Sequence, residues 1–589
     1  MQHPVIMGLE LELGLLNAPA LTTHRDRVCE SLLAAVAATQ AHARGLLAKQ
    51  EHTVFLANGA AFGLDPPGWI VPEYDTPECA SPFELAAAVT AGMRLLAAAA
   101  SRVNATWSRD ARVRRGPRGP LRFVAASDFY QRDGRSLGHH ESYGIRAPAG
   151  IESQLFRAIL PWLTYRQLLT EPGFLSPARN ASDGFGLSPR ARHIATTMGH
   201  NTTVMRAMVT TARTTHAGRG WLRLHIISAG ATVSPWAIAV RHGGTALLLV
   251  MARRGWQPPP EIVPREPIET LHLVTEDPDH ASRTIAGSTI TAREALTTLL
   301  DEVRRAHATE PLAPWADRVL VEWERGLALV GSGNPDDEEA AVWLEHAFRR
   351  RVIGRLLAEA GATWREIHYW SRFLHDVDVF RRNRAAPLPY AASGEALRAL
   401  IDPERLPAFD ALLTGANASW SELPRHRRLL ERLWSADIEL SRIRGGIADE
   451  QSRLRAARGL EVVSEEEIAR AEREPPASTR AAARAVLIRR HAGDPSLHAT
   501  WNEVALDRRR YRLPSPLSSR PPRAASTERA PADPVRRARA RRWREIQMYG
   551  ISSPLGPLFA IPSLELPPPE EPPSAVNSPA AHPAATSSP

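Results

Sequence analysis

The sequence predicts a fold that mixes α-helices and β-strands over residues 1 to about 300 and is mainly helical after that. Two kinds of pattern support this prediction. Short apolar runs bounded by glycine, proline and aspartate are typical of strands, and longer stretches with apolar residues at i, i+3 and i+4 are typical of helices. The strand-like runs are Pro4–Leu13, Thr53–Ala57, Leu121–Ala125, Trp221–Ile227 and Ala246–Met251, and the helix-like ones are Arg25–Leu47, Ser81–Ser101 and Thr291–Ala306.

The rest of the chain divides into three stretches. Residues 312–460 are predicted to be mostly helical. Residues 460–515 form a small mixed module, in which a helix begins at Ser464 and Trp501–Leu506 is strand-like. From about residue 516 proline, serine, alanine and arginine dominate. Such a composition buries too little apolar surface to offset the entropy of ordering, so we expect a disordered tail.

The overall composition is that of a folded protein of ordinary polarity. The chain has 589 residues, of which 43% are hydrophobic and 23% are charged. Two cysteines, Cys29 and Cys79, cannot form a disulfide framework, which indicates a cytoplasmic location. The first residues carry glutamates and no basic start, so we expect no signal peptide. The apolar stretch Phe83–Ala100 contains charges, so we expect a buried or amphipathic helix and no membrane span.

The basic residues are unusual, because Lys49 is the one lysine among 73 lysines and arginines. Codon bias in a GC-rich genome is one explanation. The other is that an accessible amine is a liability, since an enzyme that joins a group to lysines would attack it, whereas arginine is not such a nucleophile. Much of the net charge of +9 lies between Arg520 and Arg544 in the tail. Nucleic acid is therefore an unlikely partner.

The segment Val5–Gly14 carries the strongest local signal for chemistry. Side chains alternate along a strand, so Glu10 and Glu12 share one face and the intervening leucines share the other. Two carboxylates about 7 Å apart on an otherwise apolar strand need compensation, which a divalent cation such as Mg²⁺ would supply. The alternative is an amphipathic strand whose polar face is solvated.

Two later segments contain further acids and bend-forming residues. Asp65 follows a glycine-rich stretch and precedes two prolines, so we expect it in a rigid turn, with Glu73 and Glu78 soon after it. A surface loop with ordinary turn chemistry is the alternative. The pair His140 and Glu141 follows a glycine and offers two ligand types, although histidine is also common in loops.

A second predicted strand shows the same alternation of polar and apolar residues as the first. Arg223 and His225 share one face of the run Trp221–Ile227, with apolar residues on the other face. A sheet that carries acids for metal and basic groups for phosphate is a plausible nucleotide site. The sequence has neither a Walker A motif nor a GxGxxG fingerprint, so a site for ATP would be of another type.

Taken in order, these segments resemble the family of Pup ligases and depupylases (Pup deamidases), which is related to glutamine synthetase. Four short motifs carry the resemblance. They are Met7–Gly14 for MGxExExG, Asn58–Asp65 with Pro72–Cys79 for NGARxYxD…HPEYxxPEC, Gly138–Tyr143 for SYGxHENY, and Arg223–His225 for RRLHVI. Leu163–Gln167, Gly244–Val250 and Glu472–Arg480 with Thr500–Asn502 resemble other phrases of the family. The similarity covers about residues 4–310 and, more weakly, 312–510.

The resemblance implies an α+β fold, in which a glutamine-synthetase-like curved antiparallel sheet is covered by helices and cradles ATP and Mg²⁺. It implies a catalytic domain at residues 1–310, a helical extension at 311–459, a small C-terminal domain at 460–515 and a disordered tail at 516–589. By the same match Asp65 would be the catalytic carboxylate. The metal ligands would be Glu10, Glu12, Glu73 and His140, and the nucleotide-binding residues would be His140, Arg213, Arg223 and His225.

The sequence departs from the family pattern at several of these positions. The family's arginine and tyrosine in NGARxY are Ala61 and Gly63, its histidine before PEY is Val71, and its asparagine in HENY is Ser142. The RDEPH motif is shortened to Arg213–His216. These changes would weaken metal binding or alter the substrate, and the modifier need not be Pup itself.

The resemblance implies an enzyme that acts on the isopeptide bond between the C-terminal Glu or Gln of a ubiquitin-like modifier and a substrate lysine, in a proteasome-linked pathway. The short stretch between Gly14 and Asn58 favours a ligase, and the C-terminal module favours a depupylase or deamidase, to which we lean slightly. A small-molecule carboxylate–amine ligase and a degenerate, non-enzymatic modifier-binding protein remain as alternatives.

Overall fold

A computed structural model describes most of the chain up to residue 522. The described residues are 4–16, 25–46, 52–65, 71–107, 120–125, 137–147, 150–175, 184–199, 205–210, 216–218, 220–330, 337–370, 373, 394–399, 401–507 and 509–522. Lys49, Arg213 and the predicted tail from residue 523 onward lie outside these ranges.

A curled sheet forms the centre of the structure, with twelve strands among the described residues, in the order β11-β12-β13-β8-β1-β6-β5-β4-β3-β16-β17-β18. Neighbours are antiparallel except at β11–β12 and β16–β3. The strands of this sheet are β1 (Ile6–Glu12), β3 (His42–Gly45), β4 (Thr53–Leu56), β5 (Ala61–Asp65), β6 (Val71–Asp75), β8 (His139–Arg146), β11 (Ile194–Gly199), β12 (Arg206–Thr210), β13 (Trp221–Ala229), β16 (His498–Thr500), β17 (Glu503–Leu506) and β18 (Arg509–Arg512).

Three two-stranded sheets complete the β-structure of the described residues. They pair β2 (Gly14–Leu16) with β7 (Arg122–Val124), β9 (Phe174–Leu175) with β10 (Phe185–Gly186), and β14 (Ala281–Arg283) with β15 (Thr289–Thr291).

Helices cover one face of the central sheet and build the region that follows it. They are α1 (Arg25–Ala37), α2 (Pro82–Trp107), α3 (Glu152–Tyr165), α4 (Gln167–Thr170), α5 (Pro235–Arg253), α6 (Pro267–Glu276), α7 (Ala292–Thr309), α8 (Ala316–Val330), α9 (Glu338–Trp343), α10 (Glu345–Glu359), α11 (Gly394–Arg398), α12 (Leu406–Gly415), α13 (Leu423–Leu440), α14 (Ile447–Ala456), α15 (Glu465–Arg473) and α16 (Arg480–Arg490). Residues 364–370 are helical as well. Helix α2 packs against α5 and α15, and α5 packs against α3 and α8.

The two faces of the sheet differ in chemistry because side chains alternate along each strand. On β1, Leu9 and Leu11 are buried in the main hydrophobic core, whereas Glu10 and Glu12 lie on the opposite, partly open face. We call these the core face and the site face. This division confirms the α+β class and the alternation predicted for the first strand.

Two helices of the core are long and apolar enough to cross a membrane by length and composition alone. In the apolar 18-residue stretch of each helix, α5 is completely buried and α2 is two-thirds buried. Core helices of soluble proteins share this property, so the two helices are weak evidence for a membrane.

Several sequence-based element predictions were wrong. The run Ala246–Met251 is not a strand, because it forms the buried C-terminal half of α5. A short apolar run has no periodicity that separates a buried strand from a buried helix. The predicted helix Arg25–Leu47 ends at Ala37, and β3 follows it. Asp65 ends a strand and does not sit in a turn. Thr289 and Thr291 were both candidates for the N-cap of α7, and the structure has Thr291 there; the predicted helix start at Ser464 is confirmed, and both helices begin with a capping box.

The C-terminal segment, residues 460–515, packs against strands that the first part of the chain forms. Strand β16 pairs in parallel with β3, and α16 packs on the turn at Gly59. Gly59 has φ +89°, and a Cβ at this position would come within 3.0 Å of Ala481, Pro475 and Pro77. The turn therefore requires glycine both for its backbone conformation and for the close approach of the C-terminal segment.

We expect Gly59→Ala to destabilise the protein by about 2–4 kcal/mol, because it adds a steric clash to the cost of a positive φ. The matched control is Gly493→Ala, since Gly493 has the same φ of +89° and open space around it. Chemical denaturation of both variants measures the difference. Equal losses would mean that the packing of α16 on the turn contributes nothing.

Candidate active site

The register of the central sheet brings four separate segments of the sequence together on the site face. Glu10 of β1 lies opposite His140 of β8 on one side and opposite Asp75 of β6 on the other. Glu12 lies opposite Glu73. Residues paired in this way share a face, so β1 and β6 present two rows of acids on the site face.

The next strands add the basic residues. His225 of β13 lies opposite Ser142 of β8, and Arg223 lies opposite Gly144. The alternation predicted for this strand is therefore observed, and it directs Arg223 and His225 towards Glu10. Acids and bases that are more than 200 residues apart in the sequence meet at one point.

Glu10 is the centre of these contacts. Its carboxylate forms an ion pair with Arg223, and its Oε2 lies 3.8 Å from both His140 Nδ1 and His225 Nε2. Burial alone would raise the pKa of Glu10, but Arg223, His225 and His140 hold it well below the usual value. Glu10 is therefore ionised at neutral pH.

Arg223 is held in place by three further contacts. Its Nη2 and Nε donate to Ser142 Oγ at 2.8 and 3.1 Å, and Nη2 also donates to His225 Nδ1 at 3.1 Å. The hydroxyl at position 142, where the family pattern has asparagine, thus accepts hydrogen bonds that orient a guanidinium group. In this position Arg223 can also donate charge-assisted hydrogen bonds to an anion that binds beside Glu10.

Glu10, His140 and His225 could hold a metal ion, because one ligand atom from each lies within 4.8 Å of the others. Ligands at 2.0–2.2 Å from an ion lie roughly 3–4 Å apart, and the two 3.8 Å separations at Glu10 fit this range. Two imidazole donors favour a transition-metal ion over Mg²⁺ at this position, whereas the acids at positions 12 and 73 offer the oxygen ligands that Mg²⁺ prefers.

Arg190, which no sequence pattern indicated as a site residue, contacts both His140 and Glu12. This buried arginine donates to His140 Nε2 at 3.2 Å and lies 4.0 Å from Glu12. Burial lowers its pKa to about 10. A metal on His140 Nδ1 requires a hydrogen on Nε2, which excludes the bond from Arg190. With 72 arginines in the chain, an arginine is no signal by itself.

The remaining predicted site residues are placed by the backbone. Glu12 accepts a hydrogen bond from the Gly138 amide, and Glu73 faces Gly63 across β5–β6. Asp65 is two residues beyond Gly63 on β5 and opposite Val71, but its side chain is outside the described part of the structure. Arg213 is outside it altogether.

Two of the positions at which the sequence departs from the family motif are buried beside the acids of β6. Ala61 lies opposite Asp75, and Gly63 lies opposite Glu73. At these two positions the family pattern has arginine and tyrosine, which are large. The space around both positions is filled, because Ala61 packs in a buried cluster with Phe55 and Leu487, and a Cβ at Gly63 would lie 2.9 Å from Thr53 Oγ1.

An open cavity adjoins Glu10 and extends towards the C-terminal segment. Its lining includes Glu10, Ser142 and Arg223 from the sheet and Arg480 and Trp501 from the C-terminal segment. The Nη1 atom of Arg480 is buried and has no hydrogen-bond partner among the described residues. The lining combines the cations of Arg223 and Arg480 with the aromatic ring of Trp501 and with the acids Glu10, Asp75 and Glu78. The sequence analysis matched the segments of Arg480 and Trp501 to the family but gave them no role.

The core face beneath the site carries a buried polar network. Glu141 forms an ion pair with Arg166, and Tyr143 donates to Glu141 at 2.6 Å. Tyr143 also contacts His242 Nδ1 at 3.3 Å, and His242 Nε2 contacts His139 Nε2 at 3.1 Å. Burial lowers the pKa of His242 to about 3, so it is neutral. The sequence analysis noted Glu141 with His140 as a possible ligand type. Its side chain lies on the core face, opposite to His140.

Comparisons with known proteins show which proteins this chain resembles. The chain matches the model of the family described as Pup-ligase protein over residues 5–379. It is 30% identical over 375 residues to the Pup–protein ligase of Kocuria rhizophila, covering 60% of this chain and 75% of that protein. It is 25% identical over 458 residues to the Pup deamidase/depupylase of Mycobacterium tuberculosis, covering 77% of this chain and 75% of that protein.

Two solved structures are similar in fold. The complex between the prokaryotic ubiquitin-like protein Pup and its ligase PafA gives a TM-score of 0.63 at 18% identity, covering 93% of both chains. The Pup ligase PafA in complex with ADP gives a TM-score of 0.58 at 17% identity, covering 88% of this chain and 94% of that one. At identities this low, the structural similarity supports the fold alone.

We expect Arg166→Met to destabilise the protein by about 3–5 kcal/mol at pH 8, because it leaves Glu141 buried without its cation. In the wild type burial opposes the charge of Glu141, but Arg166 holds the pKa of this carboxylate below its usual value. In the variant burial raises that pKa, so Glu141 takes up a proton as the pH falls and the loss is smaller at pH 5. Urea unfolding at both pH values measures this.

The control for this prediction is Arg305→Met, which removes an exposed ion pair with Glu302 and should cost less than about 0.5 kcal/mol at either pH. A loss for Arg166→Met that is the same at pH 5 and pH 8 would contradict the assigned ion pair.

We expect Glu10→Gln and His225→Ala each to weaken Mn²⁺ binding by about tenfold or more, because each removes a ligand. Calorimetry and electron paramagnetic resonance of Mn²⁺ measure the affinity of each variant. Glu261→Gln, at an exposed position after α5, is the control. Unchanged affinity in Glu10→Gln would exclude this metal site.

Proposed function

This chain belongs to the Pup-ligase family, and we propose that it is an ATP- and Mg²⁺-dependent enzyme of Pup isopeptide chemistry. The reaction concerns the bond between the C-terminal Glu or Gln of a ubiquitin-like modifier and a substrate lysine. The observation that carries this proposal is the position of Glu10, which lies between Arg223 and two histidines at the mouth of a cavity.

The cavity beside Glu10 is the proposed nucleotide site. Its cationic and aromatic lining at Arg480 and Trp501 suits a nucleotide, and Arg223 lies at the end nearest to the acids. A solved structure of similar fold contains ADP, which supports a nucleotide here. The phosphates would then point towards Glu10, His140 and His225, with Arg213 as the further predicted contact.

The acids and histidines of the site face would hold the cations. Glu10, His140 and His225 form one group of ligands, and Glu12 and Glu73 form a neighbouring row. When bound, divalent cations would neutralise the phosphates and polarise the reacting carbonyl. Arg223 would orient the nucleotide, and the Gly138 amide would hold the Glu12 carboxylate in position.

Asp65 is the proposed catalytic carboxylate. It ends β5 on the row of positions that pairs with β6, near the acids of Glu12 and Glu73. In ligation it would accept the proton from a lysine amine, which is protonated at neutral pH and needs a nearby base. In hydrolysis it would activate water or attack the carbonyl itself.

We place a slight preference on the depupylase or deamidase reaction, because the C-terminal segment resembles that branch. The ligase reaction is the second candidate, and it is favoured by the 30% identity to a Pup–protein ligase. We propose Pup or a Pup-like modifier and lysine-bearing conjugates as partners, in the cytoplasm and in a proteasome-linked pathway. The complex of a similar fold with Pup supports this partner.

We expect Asp65→Asn to lower turnover at least about a thousandfold while ADP binding stays within twofold, because it removes the base but no nucleotide contact. Purified protein is incubated with ATP, Mg²⁺ and either Pup ending in Gln, Pup ending in Glu with an acceptor protein, or a Pup conjugate. Gel mobility and mass spectrometry distinguish deamidation, ligation and cleavage.

Asp301→Asn, at an exposed position on α7, is the control and should keep full activity. ADP binding without turnover of any of the three substrates would reject the enzyme on Pup in favour of another carboxylate–amine ligase or a binding protein. Wild-type activity in Asp65→Asn would reject Asp65 as the catalytic carboxylate.

A further inference from the structure

Glu78 occupies a special place between the sheet and the C-terminal segment. It follows β6 and lines the cavity beside Glu10. Its carboxylate accepts from Arg480 Nε at 2.6 Å and from Arg484 Nη2 at 2.8 Å, and both arginines are buried. Burial opposes the charge, but the two arginines lower the pKa of Glu78 to about 2. One carboxylate thus binds two arginines of α16.

The two arginines in turn hold the groups that line the cavity. Arg480 is itself part of the lining, and its Nη2 donates to the His216 carbonyl at 2.7 Å. Arg484 donates to the Trp501 carbonyl at 2.9 Å, and its guanidinium carbon lies 4.9 Å from the centre of the Trp501 ring. The orientation of both cavity groups from the C-terminal segment therefore depends on contacts that lead back to Glu78.

Further contacts of Arg484 and Glu78 link α16 to the turn before β5, the strand that carries the proposed catalytic carboxylate. Arg484 Nη2 donates to the Gly59 carbonyl at 2.7 Å, and Thr479 donates to the Glu78 carbonyl at 2.8 Å. The Gly59 turn leads directly into β5, which ends at Asp65. The Nη1 atom of Arg480 is left without a hydrogen-bond partner among the described residues, although Arg480 is only 4% exposed. A buried donor in this state is poised to bind a ligand in the cavity.

We propose that Glu78 is a positioning residue, which fixes Arg480 and Trp501 in the geometry that binds a nucleotide. This inference rests on the proposed nucleotide site and adds a residue that does not itself have to touch the nucleotide. The carboxylate accepts charge-assisted hydrogen bonds from Arg480 and Arg484, which lock two otherwise flexible side chains before the ligand arrives.

The test is ADP binding to the full chain, measured by calorimetry in the presence of Mg²⁺. Glu78→Gln keeps the size of the side chain and removes its charge. We expect it to raise the Kd for ADP about tenfold with an unchanged stoichiometry of one, because all molecules fold but the cavity is less organised. Mn²⁺ binding at Glu10 should be unaffected. A purely structural defect would instead lower the stoichiometry and weaken both ligands.

The matched control is Glu465→Gln. Glu465 also joins the C-terminal segment to the body of the protein, through an ion pair with Arg94 of α2, but it is exposed and does not line the cavity. Its affinity for ADP should equal that of the wild type. If Glu78→Gln fails to fold, Glu78→Asp keeps the charge and should still raise the Kd, because the shorter carboxylate cannot reach both arginines.

The outcomes separate this inference from the proposed function. A wild type that does not bind ADP would reject the nucleotide site itself. A wild type that binds ADP, with equal affinity in folded Glu78→Gln, would reject the positioning role alone. An equal loss in Glu465→Gln would also reject it, because attachment of the C-terminal segment would then be the whole effect.

Discussion

The site depends on the alternation of side chains along two paired strands. On each of the strands β1 and β8, the side chains of the site and the side chains of the core project from opposite faces of the same backbone. Glu10 and His140 lie on the site face, whereas Leu11 and Glu141 lie on the core face. A shift of one residue in the register would exchange the two sets and bury the site acids. The apolar packing of β1 and the Glu141–Arg166 ion pair beneath β8 therefore fix the register on which the site is built.

Electrostatic balance is the second organising principle of the site. Glu10 lies among Arg223, His140 and His225, and Glu12 lies near Arg190. Such a mixture can receive an anion and a cation together, since each new charge finds an opposite one already in place. Ala61 and Gly63, which stand where the family pattern has arginine and tyrosine, add no charge to this balance.

Sequence reasoning succeeded where a local pattern determines geometry. Alternation places Glu10 and Glu12 on one face and Arg223 and His225 on another strand's face, and these placements are confirmed. It failed at Ala246–Met251, because an apolar run without periodicity is compatible with strand and helix. Arg190 and Arg480 were given no role, because their significance arises from partners that are distant in the sequence. The convergence of four motifs at one point follows from sheet order, which no local pattern contains.

The return of the C-terminal segment to the start of the sheet has a consequence for synthesis of the protein. Arg484 and Gly59 are 425 residues apart, yet they meet beside the cavity, and β16 pairs with β3. During translation the sheet stays open at β3 until almost the whole described chain has left the ribosome. The cavity beside Glu10 is lined in part by Arg480 and Trp501, so its lining is complete only after this late part of the chain has been made. Because contacts between residues so distant in sequence form slowly, we expect completion of the sheet to be a late and slow step of folding.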